Sequence, residues 1–247
     1  MTRPTGSTPR LPHASVDVES RRSKAMKIER LLYPLPIRRP LRLLEIGTGS
    51  GVIAHYFATH PDLDCVVSAV DVIDQRVETA GYEFRLVADT QLPFGDGTFE
   101  VVLSNHVIEH VGDAKTQLTH LSEMRRVLTS DGCGYLATPN RWALVEPHYR
   151  LPLLSWMPQA WRRAYVRLTG RGEGYDCEPL SLRDLDAMLG EAHLAFRHIE
   201  VEAVTAAVDI GEERPLAGRL AQTMPDWMIG ILRTNVPTFV CRLEPSG

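Results

Sequence analysis

Residues 43–51, LLEIGTGSG, constrain the fold of this chain more than any other stretch. Leu41, Leu43, Leu44 and Ile46 supply a short buried strand that runs into Gly47, Thr48, Gly49, Ser50 and Gly51, and residues 52–58 continue apolar at helical spacing. A strand, a tight glycine turn and a helix make the first βα unit of a doubly wound sheet. Gly47 can take the positive φ that such a turn needs. Gly49 lets a ligand approach the backbone, and Gly51 lets the helix start lie close to the strand. Free N–H groups at the helix start suit an anionic group. The spacing is G-x-G-x-G, with Val52 where the dinucleotide fingerprint G-x-G-x-x-G has its third glycine. Glu45 is the second constraint. A carboxylate near the end of an apolar strand is costly unless something pairs with it. A ligand ammonium would do so, and a ligand with both a carboxylate and an ammonium is an amino acid.

This stretch resembles the first motif of the class I methyltransferases, which bind S-adenosylmethionine. The resemblance implies a seven-stranded, doubly wound, Rossmann-like α/β sheet. A second strand over residues 65–70 ends at Asp71, about twenty residues past the glycine turn, where a ribose-binding carboxylate is expected. Asp74, just after it, reads as a helix N-cap. A third strand over residues 84–87 leads into Ala88, Asp89 and Thr90, where the resembled family places an acid on the adenine amino group. The cofactor residues expected are therefore Glu45, Gly47, Thr48, Gly49, Gly51, Asp71, Val72, Asp89, Thr90 and Asn105. Leu92 and Phe94 are candidates for the adenine face or the core, with Phe94 assigned to the core. Glu100, on the fourth strand over residues 99–103, stands where the family usually has Asp, and it reads as exposed.

Residues 104–111, SNHVIEHV, fall at the C-terminal edge of the fourth strand, which borders the ligand crevice of such a sheet. His106, Glu109 and His110 form H-x-x-E-H, which alone suggests an inverted zinc peptidase; its place after a sheet strand speaks against that. The stretch is more similar to the ubiquinone-biosynthesis O-methyltransferases, whose E-x-x-E-H binds a divalent cation. His106 in place of the first Glu disfavours magnesium, which prefers oxygen ligands, and no metal is expected. His106, His110 and a loop histidine, His148, are the candidate general bases.

A helix over 114–128, a strand over 133–138, a helix over 181–189 closed by Gly190, and strands over 195–203 and 236–243 complete the expected fold. Residues 209–231 are expected to hold a further helix. The domain reads as residues 20–247, with a cap helix over 20–33 and a disordered arm over 1–19. Residues 140–180 exceed the short connection such a domain needs. They are rich in Trp, Tyr and Arg, and read as an insertion forming a substrate lid. Contact of its basic aromatic helix with a membrane surface is a further reading. Four scattered cysteines give no metal or disulfide pattern and point to reduced thiols in a cytoplasm. Residues 1–42 hold ten Arg or Lys against three Asp or Glu, in a chain of net charge -4. The acidic body and the absence of an N-P-P-Y type motif at the fourth strand exclude a nucleic-acid partner. The function implied is methyl transfer from S-adenosylmethionine to a hydroxyl of a small apolar or aromatic molecule. The alternative is a cofactor-binding protein that does not methylate, such as a cyclase or a regulatory subunit.

Overall fold

The computed structural model of the chain describes residues 17–36, 39–211 and 236–246. Seven strands form one sheet in the order β3-β2-β1-β4-β5-β9-β8. The strands are β1 (Leu41–Ile46), β2 (Cys65–Asp71), β3 (Glu83–Leu86), β4 (Phe99–Asn105), β5 (Leu128–Pro139), β8 (Leu194–His198) and β9 (Thr238–Pro245). The first five are mutually parallel, and β9 is antiparallel to both β5 and β8. The strand order reverses between β1 and β4, so the crevice beyond their C-terminal ends is where such a sheet takes a ligand.

Side chains alternate across the sheet and feed two cores. Leu41 and Leu43 of β1 join Ile28 and Leu32 of α1 (Val18–Leu32), Phe57 of α2 (Val52–Ala58) and Ala203 of α6 (Glu200–Asp209). Leu44 and Ile46 point the other way, to Leu121 and Met124 of α3 (Ala114–Val127) and Leu185 of α5 (Leu182–Glu191). Both faces of β1 and β4 are thus covered, which is why these strands read as nearly continuous apolar runs.

Several sequence expectations need correction. Residues 72–82, between β2 and β3, hold no helix. Asp74 is therefore not a helix N-cap; it accepts from the Arg76 backbone N–H and guanidinium. Ile73 and Val77 of this stretch are exposed, so it has no apolar face to bury as a helix. Glu100 is wholly buried and accepts the Arg42 backbone N–H at 2.8 Å and the Arg42 guanidinium at 2.7 Å. β8 stops at His198, and residues 200–209 form a helix because Ala203, Ala206 and Ala207 recur at helical spacing against the core. Gly190 lies inside α5, whose cap is Ala192. Asp17 caps α1, which starts at Val18, ahead of the expected position.

Between β5 and α5 the chain makes a two-stranded ribbon, β6 (Val145–Glu146) with β7 (Leu151–Pro152), and a helix, α4 (Gln159–Leu168). This segment has a small core of its own around Tyr149, Leu154, Val166 and Cys177. The arm at residues 1–16 and most of the stretch 209–231 lie outside the described residues. No helix among the described residues is long and apolar enough to cross a membrane.

Candidate active site

The glycine turn has the backbone its sequence demands. Gly47, Gly49 and Gly51 all have positive φ, at 71°, 54° and 79°. A Cβ on Gly47 would stand 2.4 Å from Val107 Cγ2, and one on Gly51 would stand 2.1 Å from the Glu78 carbonyl oxygen. Gly51 therefore makes room for the β2–β3 connection, which also donates Val77 N–H and Glu78 N–H to the Ser50 carbonyl.

Glu45 finds its partners within the fold. One carboxyl oxygen accepts Thr48 Oγ1–H at 2.6 Å and the Ala54 N–H at 3.0 Å, so a strand residue caps the first turn of α2. Burial pushes the Glu45 carboxyl up to about 8, against the opposing hydrogen bond from Thr48 and the charge of Arg21. Asp71 reaches the other side of the turn. Its Oδ2 accepts Gly49 N–H at 2.8 Å, and its Oδ1 accepts Val72 N–H at 2.7 Å and Ile73 N–H at 3.3 Å, so Oδ2 is the oxygen that keeps a lone pair for a hydroxyl.

A cavity of about 590 Å³ lies over these strand ends. Of the expected cofactor residues, Gly47, Gly49, Asp71, Val72, Asp89, Thr90 and Asn105 line it; Glu45, Thr48 and Gly51 stand one layer behind. Asp89 Oδ1 accepts Gln91 N–H at 2.8 Å, which shapes the loop after β3. Asn105 is 9 % exposed, and its Nδ2 has no hydrogen-bond partner among the described residues, so a donor is held ready at the cavity wall. Leu92 lines the cavity as well, while Phe94 packs edge-on against Phe99 in the core.

The three candidate bases come together in the same cavity. His106 follows β4 with a left-handed backbone, φ 59°, which turns the chain sharply across the crevice. Its Nδ1 lies 3.2 Å from Glu109 Oε1. His148, delivered by the turn between β6 and β7, places Nε2 3.5 Å from the same oxygen and Nδ1 2.9 Å from Glu146 Oε1. Both glutamates are buried, so acids and imidazoles alternate from the ribbon to the end of β4. Burial lowers the His106 imidazole more than Glu109 raises it. For His148 burial also pulls down, but the Glu146 hydrogen bond and the charge of Glu109 outweigh it and hold it above the usual range. His110 stacks edge-on with His148 at 5.2 Å and lies 3.7 Å from Cys177 Sγ. Burial drives the Cys177 thiol well up, which suits a packed side chain rather than a nucleophile. His106, Glu109 and His148 bring ligating atoms within 4.8 Å of one another, as do His110, Asp176 and Cys177.

The sequence reading did not single out Arg21 and Lys24 of α1, Arg150, Asp176 or His120, which also line the cavity. His120 Nε2 lies 2.9 Å from Ser104 Oγ, and burial lowers its imidazole to about 4. The basic pattern of α1 was visible, but which of its cations turn inward depends on packing against α2. Glu146 carries no local sequence signal, because its partner His148 lies in a turn whose closure only the ribbon fixes.

A family model described as a methyltransferase domain matches residues 44–136. The methyltransferase str3 of Strobilurus tenacellus is 25% identical over 201 residues, 80% of this chain and 68% of that protein. A ubiquinone biosynthesis O-methyltransferase of Parvibaculum lavamentivorans is 28% identical over 163 residues, covering 59% of this chain and 60% of that protein, which is less than two thirds of its length. A geranyl diphosphate methyltransferase in complex with S-adenosylmethionine superposes with a TM-score of 0.54 at 17% identity, over 94% of this chain and 88% of that one. The [4+2]-cyclase SpnF shares the fold, with a TM-score of 0.52 at 14% identity over 97% of this chain and 86% of that one.

Proposed function

We propose that this chain is a class I S-adenosylmethionine-dependent methyltransferase and that it methylates a hydroxyl group of a small apolar or aromatic molecule, with His106 as general base. The observation that carries this reading is a single cavity that runs from the glycine turn to an imidazole whose Nδ1 is already turned to a buried carboxylate.

The residues present fit the cofactor. Asp71 offers a ribose hydroxyl the lone pair left on its Oδ2, and Asp89, on the cavity wall, is the acceptor for an adenine amino group. Asn105 Nδ2 offers a donor that the fold leaves unused. Arg21 and Lys24 place positive charge at the cavity wall, suited to the carboxylate of the methionine portion. When bound, S-adenosylmethionine supplies a methyl carbon made electrophilic by its sulfonium.

The chain's own residues then have two tasks. The first is alignment of acceptor and methyl, which is worth on the order of 7–11 kcal/mol in favourable cases. The ribbon that brings His148, together with Arg150 and Asp176, closes the acceptor side of the cavity. The second is proton removal. With Nδ1–H directed to Glu109, His106 presents Nε2 as the lone-pair nitrogen, and its lowered basicity keeps it neutral at neutral pH. It takes the acceptor's hydroxyl proton, and Glu109 stabilises the imidazolium formed. Similarity to ubiquinone biosynthesis O-methyltransferases supports a hydroxyl acceptor.

Incubation of the purified chain with methyl-labelled S-adenosylmethionine and a small-molecule extract tests the reading. The expected result is stoichiometric release of S-adenosylhomocysteine with label on oxygen in an organic-soluble product. Label on nitrogen or carbon overturns the hydroxyl assignment. Tight cofactor binding with no release from any extract overturns methyl transfer and favours a cyclase-like or regulatory role.

A further inference from the structure

Glu146 is a buried carboxylate that the chemistry proposed above leaves without a task. It ends β6, is 1% exposed and is not among the residues that line the cavity, yet it ties the whole turn of the ribbon. Its Oε2 accepts Tyr149 N–H at 2.7 Å, its carbonyl oxygen accepts Arg150 N–H at 2.8 Å, and its Oε1 stands 2.9 Å from His148 Nδ1. The same imidazole presents Nε2 at 3.5 Å to Glu109 Oε1, the oxygen to which His106 Nδ1 lies at 3.2 Å. A carboxylate is costly to bury unless a cation or several donors meet it, and His148 meets two.

An imidazole with a carboxylate at each nitrogen holds both protons. The titratable groups that face His148 are Glu146 from its own ribbon, His106 from the end of β4, Glu109 and His110 from the turn after it, and Asp176 from the stretch before α5. Three of the five are carboxylates, which favours the imidazolium. His106 has different surroundings. Its ring centroid lies 5.6 Å from that of His148, and the charges of His148 and of Lys24 on α1 both oppose the pull of Glu109 on a proton. Glu109 therefore meets two imidazoles, of which His148 is the one that carries the charge.

We propose that Glu146 is a positioning residue for methyl transfer: it holds His148 as the standing cation on Glu109 and so leaves His106 as the neutral imidazole that takes the acceptor's proton. Without the Glu146 charge, His148 Nδ1–H loses the anion it faces, and the ring releases one proton to water. Glu109 then draws a proton from solvent onto His106 before any acceptor arrives. The inference rests on His106 as general base. The state of His148 is read from its own resonances without turnover, so the two can fail separately.

Glu146→Gln tests the proposal, with affinity for S-adenosylhomocysteine as the check on the fold. Nitrogen NMR spectra of the histidines in the full chain, with His148 assigned through His148→Gln, are expected to show an imidazolium at neutral pH in the wild type and a neutral ring in the variant. The acid limb of kcat against pH is expected to move upward by about 1–2 pH units, the size of one charge's effect at this separation inside a protein. On that limb the variant is then roughly ten- to a hundredfold slower, and at high pH it returns to the wild-type rate. His148→Gln spares the bonds from Glu146 to Tyr149 and Arg150, and is expected to move the limb the same way even if Glu146→Gln fails to fold. A rate lowered by the same factor at every pH assigns Glu146 to building the turn and overturns the proposal. An unmoved limb, or an imidazolium at His148 that survives Glu146→Gln, overturns it too.

Discussion

Glu45 can be replaced in two ways that separate a structural from a ligand-binding carboxyl. Glu45→Ala removes the acceptor for Thr48 Oγ1–H and for the Ala54 N–H, both inside the fold. Each orphaned donor costs about 1–3 kcal/mol, so the variant should lose roughly 2–6 kcal/mol by urea unfolding. Glu45→Gln keeps a carbonyl oxygen where both donors point. With the carboxyl pushed up to about 8 by burial, the group is protonated at neutral pH, and Gln copies its shape and its neutrality. At a pH low enough to protonate the unfolded carboxyl as well, the expected loss is below about 1 kcal/mol.

The two proteins should diverge with pH. A carboxyl whose folded pKa is raised stabilises the fold fully below its unfolded value, and that stabilisation is lost as pH rises through the folded one. Between the ordinary carboxyl value of 4.5 and about 8, the wild type should therefore lose stability relative to Glu45→Gln, by up to about 5 kcal/mol. Within about one pH unit of the lower edge of that window the variant should become the more stable protein, and it should stay so above the window. A Gln variant as damaged at neutral pH as the Ala variant would mean an ionised carboxylate paired with Arg21, and would refute the reasoning. A fully stable Gln variant that no longer binds S-adenosylhomocysteine in calorimetry would move Glu45 from the helix cap to the ligand.

Other expected outcomes are more direct. Asp71→Ala should weaken S-adenosylhomocysteine on the order of 100-fold in a calorimetric titration, since hydrogen bonds to a charged acceptor contribute about 1.5–3 kcal/mol each; unchanged affinity removes the ribose assignment. His106→Ala should lower kcat by about 10²–10⁴ with cofactor affinity intact. In the wild type the rate should fall as pH drops through a value below 6.5, because the imidazole must be neutral to act and burial lowers it; a variant with full turnover would remove His106 from the mechanism. Arg42→Ala takes the guanidinium away from the buried Glu100 carboxylate, and should destabilise by about 3 kcal/mol. Glu100→Ala should cost less, because Arg42 is about a third exposed and can turn to water; the reverse order in urea unfolding contradicts this account.

The central fold was legible because its signals are local. Strand alternation, the glycine turn and the start of α2 at Val52 all follow from neighbouring residues, and β1 and α2 fall where the pattern puts them. Errors arose where a residue's partner is remote in sequence. Glu100 reads as exposed until β1 sets Arg42 beside it. Asp74 reads as a cap because Asp after a strand commonly starts a helix, yet the exposed Ile73 and Val77 give that helix nothing to pack on. The acid in β1 reads as the partner of a ligand ammonium, and the N-terminus of α2 supplies it with a second partner that no spacing rule shows. At the site, H-x-x-E-H marked His106 and His110, and His148 was visible only as a loop histidine. Its arrival between Glu109 and Glu146 is a product of ribbon pairing that no spacing rule announces.

The double attachment of Val77 and Glu78 to the Ser50 carbonyl has a consequence for how a ligand gets in. With Gly51 pressed against Glu78, the wall that carries Val72 and Ile73 is stitched to the floor and cannot swing aside on its own. The opposite flank is lined by Arg21 and Lys24 of α1 and by His148 and Arg150 of the ribbon. A ligand that enters between those side chains leaves the stitched wall in place.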